Sequence, residues 1–285
     1  MEIVNRVSRM AAITAKTLVT DVKIGLVPTL GAINPAHLSL IRTARKMADL
    51  AIVSMFVNRL EFSSEEEYER YPRDITADVD LLRGENIDFL FIPPEEEMYP
   101  PDFSTYVEVQ KPGSDAGLPS GLLRGMATGA LKTLHLTKPA YTFYGEPDAL
   151  QGAALRKMVR DFNISTEVVI APVEREPSGL AYSGRNRLLT ELQLAAAPIF
   201  NRSLRAAQGA IASGEAHAKK ILAEIIRVVA TEPLAKLEYA VVVDPELLEP
   251  VSRIQGTVII AVGGKIGNVF LSDALLLEKP AKSPA

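Results

Sequence analysis

The chain has no cysteine among its 285 residues. Disulfides, thiolate metal sites and a cysteine nucleophile are therefore excluded. Histidine is also scarce, because only three are present, and their wide separation offers no local metal-ligand spacing. They are His37, His135 and His217. We expect no metal site built from the protein's own side chains.

Long apolar runs are missing as well. No stretch approaches the roughly 18 or more apolar residues that a membrane span needs. The opening MEIVNRVSRMAAITAKTLVT has neither an uninterrupted apolar run nor a clear cleavage signature. We expect a soluble, cytoplasmic protein that does not contact a membrane.

The chain has no excess of positive charge. With 35 acidic and 31 basic residues its formal net charge is −4, which gives no general attraction to a phosphate backbone. Nucleic acid is therefore not the expected partner, although a local basic cluster could still bind a nucleotide. Hydrophobic residues make up 47% of the chain, enough to bury one large core or two smaller ones.

Short apolar runs alternate with longer amphipathic ones in the first half of the chain. The predicted strands are KIGLVP, LAIVSMF, DFLFIP, AYTFYG and TEVVIAP. The predicted helices are HLSLIRTARKMA, ITADVDLLRGEN, GLLRGMATGALKTLHL and PDALQGAALRKMVRDF. This alternation predicts an α/β fold with a Rossmann-like parallel sheet covered on both faces. A ligand crevice is then expected beyond the carboxyl ends of the strands.

The pattern changes near residues 174–179. Two helical stretches are predicted, one over about residues 190–214 and one from residue 215. The runs KLEYAVVVD and TVIIAVGGKIGNVFL then predict the strands of a small sheet. We therefore predict two domains: residues 1–175, binding the ligand, and residues 176–285, a smaller α+β domain.

The stretch GLVPTLGAINPAHLSLIRTA, residues 25–44, predicts a strand, a glycine turn at Gly31 and a helix that opens near His37. Such a turn can place amide donors and the positive end of a helix against a polyphosphate. The same arrangement occurs in any parallel α/β protein, so His37 could equally be a simple helix-start residue.

Several blocks, read in order, identify a family. They are VPTLGAINPAHLSLIRTA, VSMFVNRLEF, ERYPRDITADVDLL, DFLFIPPEEEMYP, LLRGMAT, YGEPDALQ, KMVRDFN and REPSGLAYSGRNRLL. Together they resemble the pantothenate synthetase (pantoate–β-alanine ligase) family of the nucleotidyltransferase superfamily. The resemblance implies an AMP-forming ligase that uses ATP and Mg²⁺. In it, a carboxylate such as pantoate forms an acyl adenylate, and an amine such as β-alanine then displaces AMP.

The resemblance also implies a homodimer, a C-terminal domain that acts as a lid, and three sets of site residues. The implied catalytic residues are Asn34, His37, Ser183 and Arg185. The implied ATP contacts are Leu30, Gly31, His37, Gly145, Asp148 at the ribose, Glu174, Tyr182, Ser183 and Arg185. The implied acid-binding residues are Pro28, Thr29, Asn58, Glu61 and Gln151.

The chain departs from the family pattern at the phosphates. At the positions of the family's His-x-Gly-His motif, Asn34 replaces the first histidine and Ala36 replaces the glycine. Asn34 can donate a hydrogen bond but cannot carry a charge. A family lysine is replaced by Pro147 and the second of two serines by Gly184. Lys132, Arg156 and Lys157 are candidates for a replacement cation.

Further departures fall at the substrate positions. Leu122 replaces a family histidine, Glu61 replaces the acid-binding glutamine, and Arg59 replaces a proline. A carboxylate at position 61 would repel an acid substrate unless a cation such as Arg59 offsets it.

Three functions therefore stay open: a pantothenate synthetase that tolerates these changes, a ligase repurposed for another acid and amine, and a non-catalytic homologue kept for binding. Some retained residues also have purely structural interpretations. Asp148 could begin a helix, Arg185 could form a surface salt bridge, His135 is expected to pack in the interior, and His217 is expected to be solvated.

Overall fold

A computed structural model describes residues 1–17, 19–62, 64–109 and 120–277, with the side chains of residues 120–122 left out. Six strands form one parallel sheet in the order β1-β4-β3-β2-β5-β6. They are β1 (Glu2–Val4), β2 (Ile24–Thr29), β3 (Leu50–Met55), β4 (Phe89–Phe91), β5 (Tyr141–Gly145) and β6 (Glu167–Ala171). The predicted α/β fold with a parallel sheet is confirmed. The sequence reading did not identify β1.

Helices cover both faces of this sheet. They are α1 (Val7–Thr17), α2 (Pro35–Met47), α3 (Glu65–Arg70), α4 (Ile75–Leu82), α5 (Glu95–Met98), α6 (Ser120–Thr137) and α7 (Ala149–Asp161). Successive strand residues point to opposite faces. In β2, Leu26 packs in the cluster that contains α6 and α7, and Val27 packs in the cluster that contains α2 and α4. Because both faces are buried, the strands are continuously apolar rather than alternating.

A second, antiparallel sheet follows, in the order β7-β8-β9. Its strands are β7 (Ala235–Val243), β8 (Val258–Ile266) and β9 (Val269–Leu277), and the helices before it are α8 (Glu191–Ala196), α9 (Ile199–Ala212) and α10 (Ala218–Val229). One face of this sheet packs with α9 and α10, and the other shares an apolar cluster with α7. Helix α7 therefore joins the cores of the two sheets.

The helical stretch predicted over about residues 190–214 is confirmed, and it consists of two helices. The chain forms α8, turns, and then starts α9 after Pro198. A proline lacks the N–H that a helix interior requires and clashes with the preceding turn, so the break falls there. Within the described ranges, every helix is too short or too polar to span a bilayer.

A buried ion pair fastens the second sheet to the segment after β6. The two terminal guanidinium nitrogens of Arg175, Nη1 and Nη2, donate to the Asp273 carboxylate of β9 at 2.7 and 2.8 Å. Their side chains are only 12% and 5% exposed. Asn201 of α9 donates to the same carboxylate at 3.1 Å. Three separate parts of the chain therefore meet at one charged group.

Removal of one partner from this pair should be costly. Asp273→Ala leaves the Arg175 charge buried without compensation, so we expect it to lower the free energy of unfolding by about 3–5 kcal/mol. Denaturant unfolding measures this change. The double variant Arg175→Met/Asp273→Leu should recover most of the loss, because neither charge is left alone.

The matched control is Glu224→Ala, which removes an exposed pair with Arg227 and should have no measurable effect. A loss for Asp273→Ala as small as that of the control would contradict this account of the buried pair.

Candidate active site

A cavity of about 230 Å³ opens at the carboxyl ends of the parallel strands. In the sheet, β2 lies between β3 on one side and β5 on the other, and the strand order reverses there. Parallel sheets of this kind bind ligands at such a switch point. Residues of α6, α9 and β9 complete the wall. The crevice predicted from the strand order is therefore present.

Most of the predicted site residues line this cavity. They are Pro28, Thr29, Leu30, His37, Asn58, Glu61, Asp148, Gln151, Tyr182, Ser183 and Arg185. The cavity wall does not include Gly31, Asn34, Gly145 or Glu174. Three departures from the family pattern, Glu61, Pro147 and Gly184, are in the wall. The side chain of Leu122 lies outside the described part of the structure.

His37 lies in the first turn of α2 with its ring on the cavity. Asn34 is the N-cap, and its side-chain oxygen accepts the backbone N–H groups of Ala36 and His37 at 3.1 and 3.3 Å. Burial lowers the pKa of His37 to about 4, so the ring is neutral at pH 7. Its Nδ1 is buried without a hydrogen-bond partner. The ring is thus available to bind a ligand by one nitrogen without contributing charge.

The turn before α2 uses its amides internally. The Gly31 N–H donates to Thr29 Oγ1 at 3.2 Å, and those of Ala32 and Ile33 donate to the Asp78 carboxylate at 2.8 Å each. The amides of Gly31, Ala32 and Ile33, which such a turn can offer to a polyphosphate, are therefore already engaged within the protein. From the first turn of α2, His37 lines the cavity, whereas Asn34, Pro35 and Ala36 at the start of the helix do not.

Two carboxyl groups line the cavity with raised pKa values. Burial raises the pKa of Glu61 to about 7, although Asn58 Nδ2 donates to this carboxylate at 2.7 Å and Arg185 favours its charge. Asp148 is accessible from the cavity, yet the surrounding protein raises its pKa to about 6. Asp148 occupies the N-cap position of α7 but makes no capping hydrogen bond with its side chain. Its carboxylate is therefore free for a ligand.

Arg185 is anchored beside the cavity rather than on the surface. Its Nε donates to Glu67 at 2.8 Å, and another nitrogen donates to the backbone oxygen of Glu61 at 3.2 Å. The Ser183 hydroxyl accepts the Arg185 backbone N–H at 3.2 Å. Among the residues that the structure describes, Arg185 is the only arginine or lysine in the cavity wall.

The candidate replacement cations lie elsewhere. Lys132 sits 5.0 Å from the centre of the Phe103 ring. Lys157 pairs with Asp161 at 2.9 Å, and Arg156 donates to the Val168 carbonyl at 2.9 Å. None of the three lines the cavity. Within the described part of the chain, no lysine or arginine takes the place of the family lysine at Pro147.

Two further expectations about charge are not met. Arg59 pairs with Glu65 at 2.6 Å on the exposed side of its segment, so it does not offset Glu61. Glu174, predicted at the ATP site, is exposed and lies 3.7 Å from Arg42. His135, expected to pack in the interior, is exposed, because it falls on the outer face of α6. His217 is exposed, as expected.

The structure adds site residues that sequence reasoning missed. Asp273 lines the cavity from β9, and Asp78 lies behind the turn that precedes α2. The available signals were the single aspartate inside the apolar run VFLSDALLL and the first of the two aspartates in ITADVDLL. Gly184 packs so tightly that a Cβ there would come within 2.5 Å of the Tyr71 hydroxyl and 2.9 Å of Ala32 Cβ. The missing serine thus has no room without rearrangement.

The raised pKa of Glu61 makes a prediction for stability. The folded state holds this proton more tightly than the unfolded state, so ionisation of Glu61 weakens folding as the pH rises from 4.5 to about 7. Glu61→Gln should therefore stabilise the protein at pH 8 by about 1–3 kcal/mol and have little effect at about pH 4. Denaturant unfolding at both pH values measures the difference.

The control is Glu66→Gln, because Glu66 is close to Glu61 in the chain and its side chain is 81% exposed. An effect of Glu61→Gln that is equal at the two pH values would refute a Glu61 that binds its proton more tightly in the folded state.

Residues 2–276 match the family model described as Pantoate-beta-alanine ligase. A relative named pantothenate synthetase, from Thermotoga petrophila, is 41% identical over 279 residues, which are 97% of this chain and 100% of the relative. Another of the same name, from Acidobacterium capsulatum, is 40% identical over 261 residues, which are 90% of this chain and 87% of the relative.

Solved structures give the same result. Pantothenate synthetase from Thermus thermophilus is 33% identical, with a TM-score of 0.88 and coverage of 96% of this chain and 99% of that one. Pantoate-beta-alanine ligase from Francisella tularensis, solved with beta-gamma ATP and beta-alanine, is 30% identical, with a TM-score of 0.74 and coverage of 97% of both chains. This chain belongs to the pantoate–β-alanine ligase family.

Proposed function

We propose that the chain is an AMP-forming ligase that joins pantoate to β-alanine through an acyl adenylate. The pantoate carboxylate attacks the α-phosphorus of ATP and releases pyrophosphate, and the amine of β-alanine then forms the amide and releases AMP. The observation that carries this proposal is the family match over residues 2–276. The complex of the Francisella tularensis relative with beta-gamma ATP and beta-alanine supports the choice of substrates.

The ATP end of the cavity is formed by the turn after β2 and the loop at residues 182–185. In our proposal Asp148 accepts hydrogen bonds from the ribose, and Leu30, Tyr182 and Ser183 border the nucleotide. His37 donates a hydrogen bond to a phosphate oxygen as charge grows there in the first step. A fixed donor is worth most at such a site, because it needs no reorganisation during the reaction.

The acid end is formed by Asn58, Glu61 and Gln151, beside Pro28 and Thr29. At pH 7 the Glu61 carboxyl is close to half protonated, because its pKa is about 7. The protonated form can donate a hydrogen bond to an acid substrate instead of repelling it. We propose that the acid binds this form.

Mg²⁺ is required to offset the phosphate charge of ATP. Among the residues that the structure describes, no group of three or more histidine, aspartate or glutamate side chains could hold a metal ion. We therefore propose that Mg²⁺ enters bound to the triphosphate and assign it no protein ligands. We further propose a cytoplasmic homodimer in which residues 176–285 form the lid over the site.

One observation favours a second candidate. Glu61 and Asp148 bring two carboxyl groups to a cavity whose described wall holds a single arginine, and Glu67 already pairs with that arginine. Such a wall would also suit an acid that carries an ammonium or several hydroxyl groups, because these groups donate hydrogen bonds to carboxylates. A ligase for another acid and amine is therefore the alternative.

The deciding experiment measures release of AMP and pyrophosphate from ATP and Mg²⁺, first with pantoate and β-alanine and then with a panel of acids and amines. We expect turnover with pantoate and β-alanine. Turnover only with other pairs would establish the repurposed ligase. If calorimetry shows ATP binding but no pair turns over, the chain is a non-catalytic homologue, and the proposal fails.

His37 is the first residue to test. His37→Ala should abolish ATP–pyrophosphate exchange, because it removes the neutral donor at the phosphates, and it should leave the thermal melt nearly unchanged. His135→Ala is the matched control, since His135 is exposed and outside the cavity. An exchange rate for His37→Ala equal to that of the control would remove His37 from the mechanism.

Pro147 is the second residue to test. It lies in the 3₁₀ turn Glu146–Asp148 and lines the cavity, so Pro147→Lys restores a cation to the wall. We expect a faster adenylation step with pantoate, by roughly 10-fold or more, in single-turnover kinetics. Pro101→Lys adds the same charge at an exposed proline outside the wall and should change nothing. Equal rates for the two variants would show that Pro147 does not limit the reaction.

A further inference from the structure

Asp78 is a buried carboxylate behind the Gly31–Ile33 turn, which precedes α2. It lies in the middle of α4 and is 2% exposed. Its two oxygens each accept one backbone N–H, from Ala32 and from Ile33, both at 2.8 Å. In the chain, Asp78 is 46 residues from Ala32 and 45 residues from Ile33. This contact is therefore a tertiary anchor and not a local cap.

The anchored residues have a conformation that needs support. Gly31 and Ala32 have φ values of +79° and +50°, and the left-handed region is unfavourable for alanine because of its Cβ. Two buried N–H groups without acceptors would add a further penalty. The Asp78 carboxylate removes that penalty and selects this conformation of the turn over others.

The turn leads directly into the residues that face the cavity. Asn34 follows Ile33 and caps α2, and His37 lies in the first turn of that helix. Any change in the path of Ala32 and Ile33 therefore moves the cap and the histidine ring. Displacements of about 1 Å at a reacting group can cost as much as roughly 10²-fold in rate.

The carboxylate also occupies the place where an anion would bind the turn. Two successive N–H groups in such a turn form a concave anion site, and Asp78 fills it from the protein side. A Cβ on Gly31 would come within 3.2 Å of Asp78 Oδ2. The amides of Ala32 and Ile33 are consequently not available to a phosphate.

We propose that Asp78 is a positioning residue for the phosphates of ATP: its carboxylate holds the Gly31–Ile33 turn so that His37 faces the triphosphate. This inference rests on the proposed ATP-dependent function. Asp78 is not in the wall of the site cavity, and in this proposal its effect is confined to the phosphate end. The ribose contact at Asp148 comes from a different element, the start of α7.

The test compares ATP with adenosine, which lacks the phosphates. Asp78→Asn keeps the shape of the side chain but replaces one acceptor by an NH₂ group that faces an N–H donor. By calorimetry we expect the affinity for ATP to fall by roughly 10-fold, as for the loss of one charged hydrogen bond. The affinity for adenosine should stay within about 2-fold.

The matched control is Asp74→Ala. Asp74 is exposed and caps the same helix, with its Oδ1 accepting the Ala77 N–H at 3.0 Å, but it does not touch the turn. This variant should lower the melting temperature and leave both affinities unchanged. It therefore separates loss of α4 stability from loss of phosphate positioning.

Equal affinities of Asp78→Asn and the unaltered protein for ATP would overturn the proposal and leave Asp78 a purely structural residue. A tighter complex with ATP would also overturn it, because freed amides would then be better phosphate donors than the arrangement that Asp78 imposes. If the unaltered protein binds adenosine but not ATP, or binds neither, the proposed function itself fails.

A second measurement needs no variant and covers the case in which Asp78→Asn does not fold. Hydrogen exchange by NMR follows the amides of Ala32 and Ile33 in the unaltered protein, with and without ATP. We expect both amides to be protected in the free protein and to stay so when ATP binds. Rapid exchange in the free protein, or protection that appears only with ATP, would contradict an anchor preformed by Asp78.

Discussion

The cavity depends on the buried ion pair between Arg175 and Asp273. It joins the segment after the parallel sheet to the last strand of the second sheet, and Asn201 of α9 donates to the same carboxylate. Because Asp273 also lines the cavity, the contact that fastens the two parts of the chain is itself part of the site. Charges taken out of water require such complete partnering, so any movement of the second sheet must preserve or replace these hydrogen bonds.

The electrostatics of the site follow from how its charged groups are already engaged. Arg185 is held by Glu67, and burial keeps the His37 ring neutral at pH 7. The surrounding protein also raises the pKa values of Glu61 and Asp148. The protein thus offers hydrogen bonds more than positive charge, so in the proposed reaction much of the neutralisation of the ATP phosphates would come from Mg²⁺ bound to the nucleotide.

The departures from the family pattern are compatible with one another in space. Asn34 caps α2, where its oxygen accepts two N–H groups. Gly184 leaves room for Tyr71 and Ala32. Pro147 fits the 3₁₀ turn before α7. Each of these three residues has a structural role that differs from the phosphate contact that the family resemblance implies at its position, so their effects on catalysis are a separate question from the stability of the fold.

The sequence by itself determined the parallel sheet, most of the helices, the family and those residues of the cavity wall that fall in family motifs, because apolar periodicity and ordered motifs are local properties of the chain. It could not show that Pro198 splits a helix, that Arg59 turns away from Glu61 to Glu65, or that Asp78 takes the amides of the turn. Only the tertiary structure decided these, because each depends on which groups compete for the same donor, acceptor or space once distant segments are packed together.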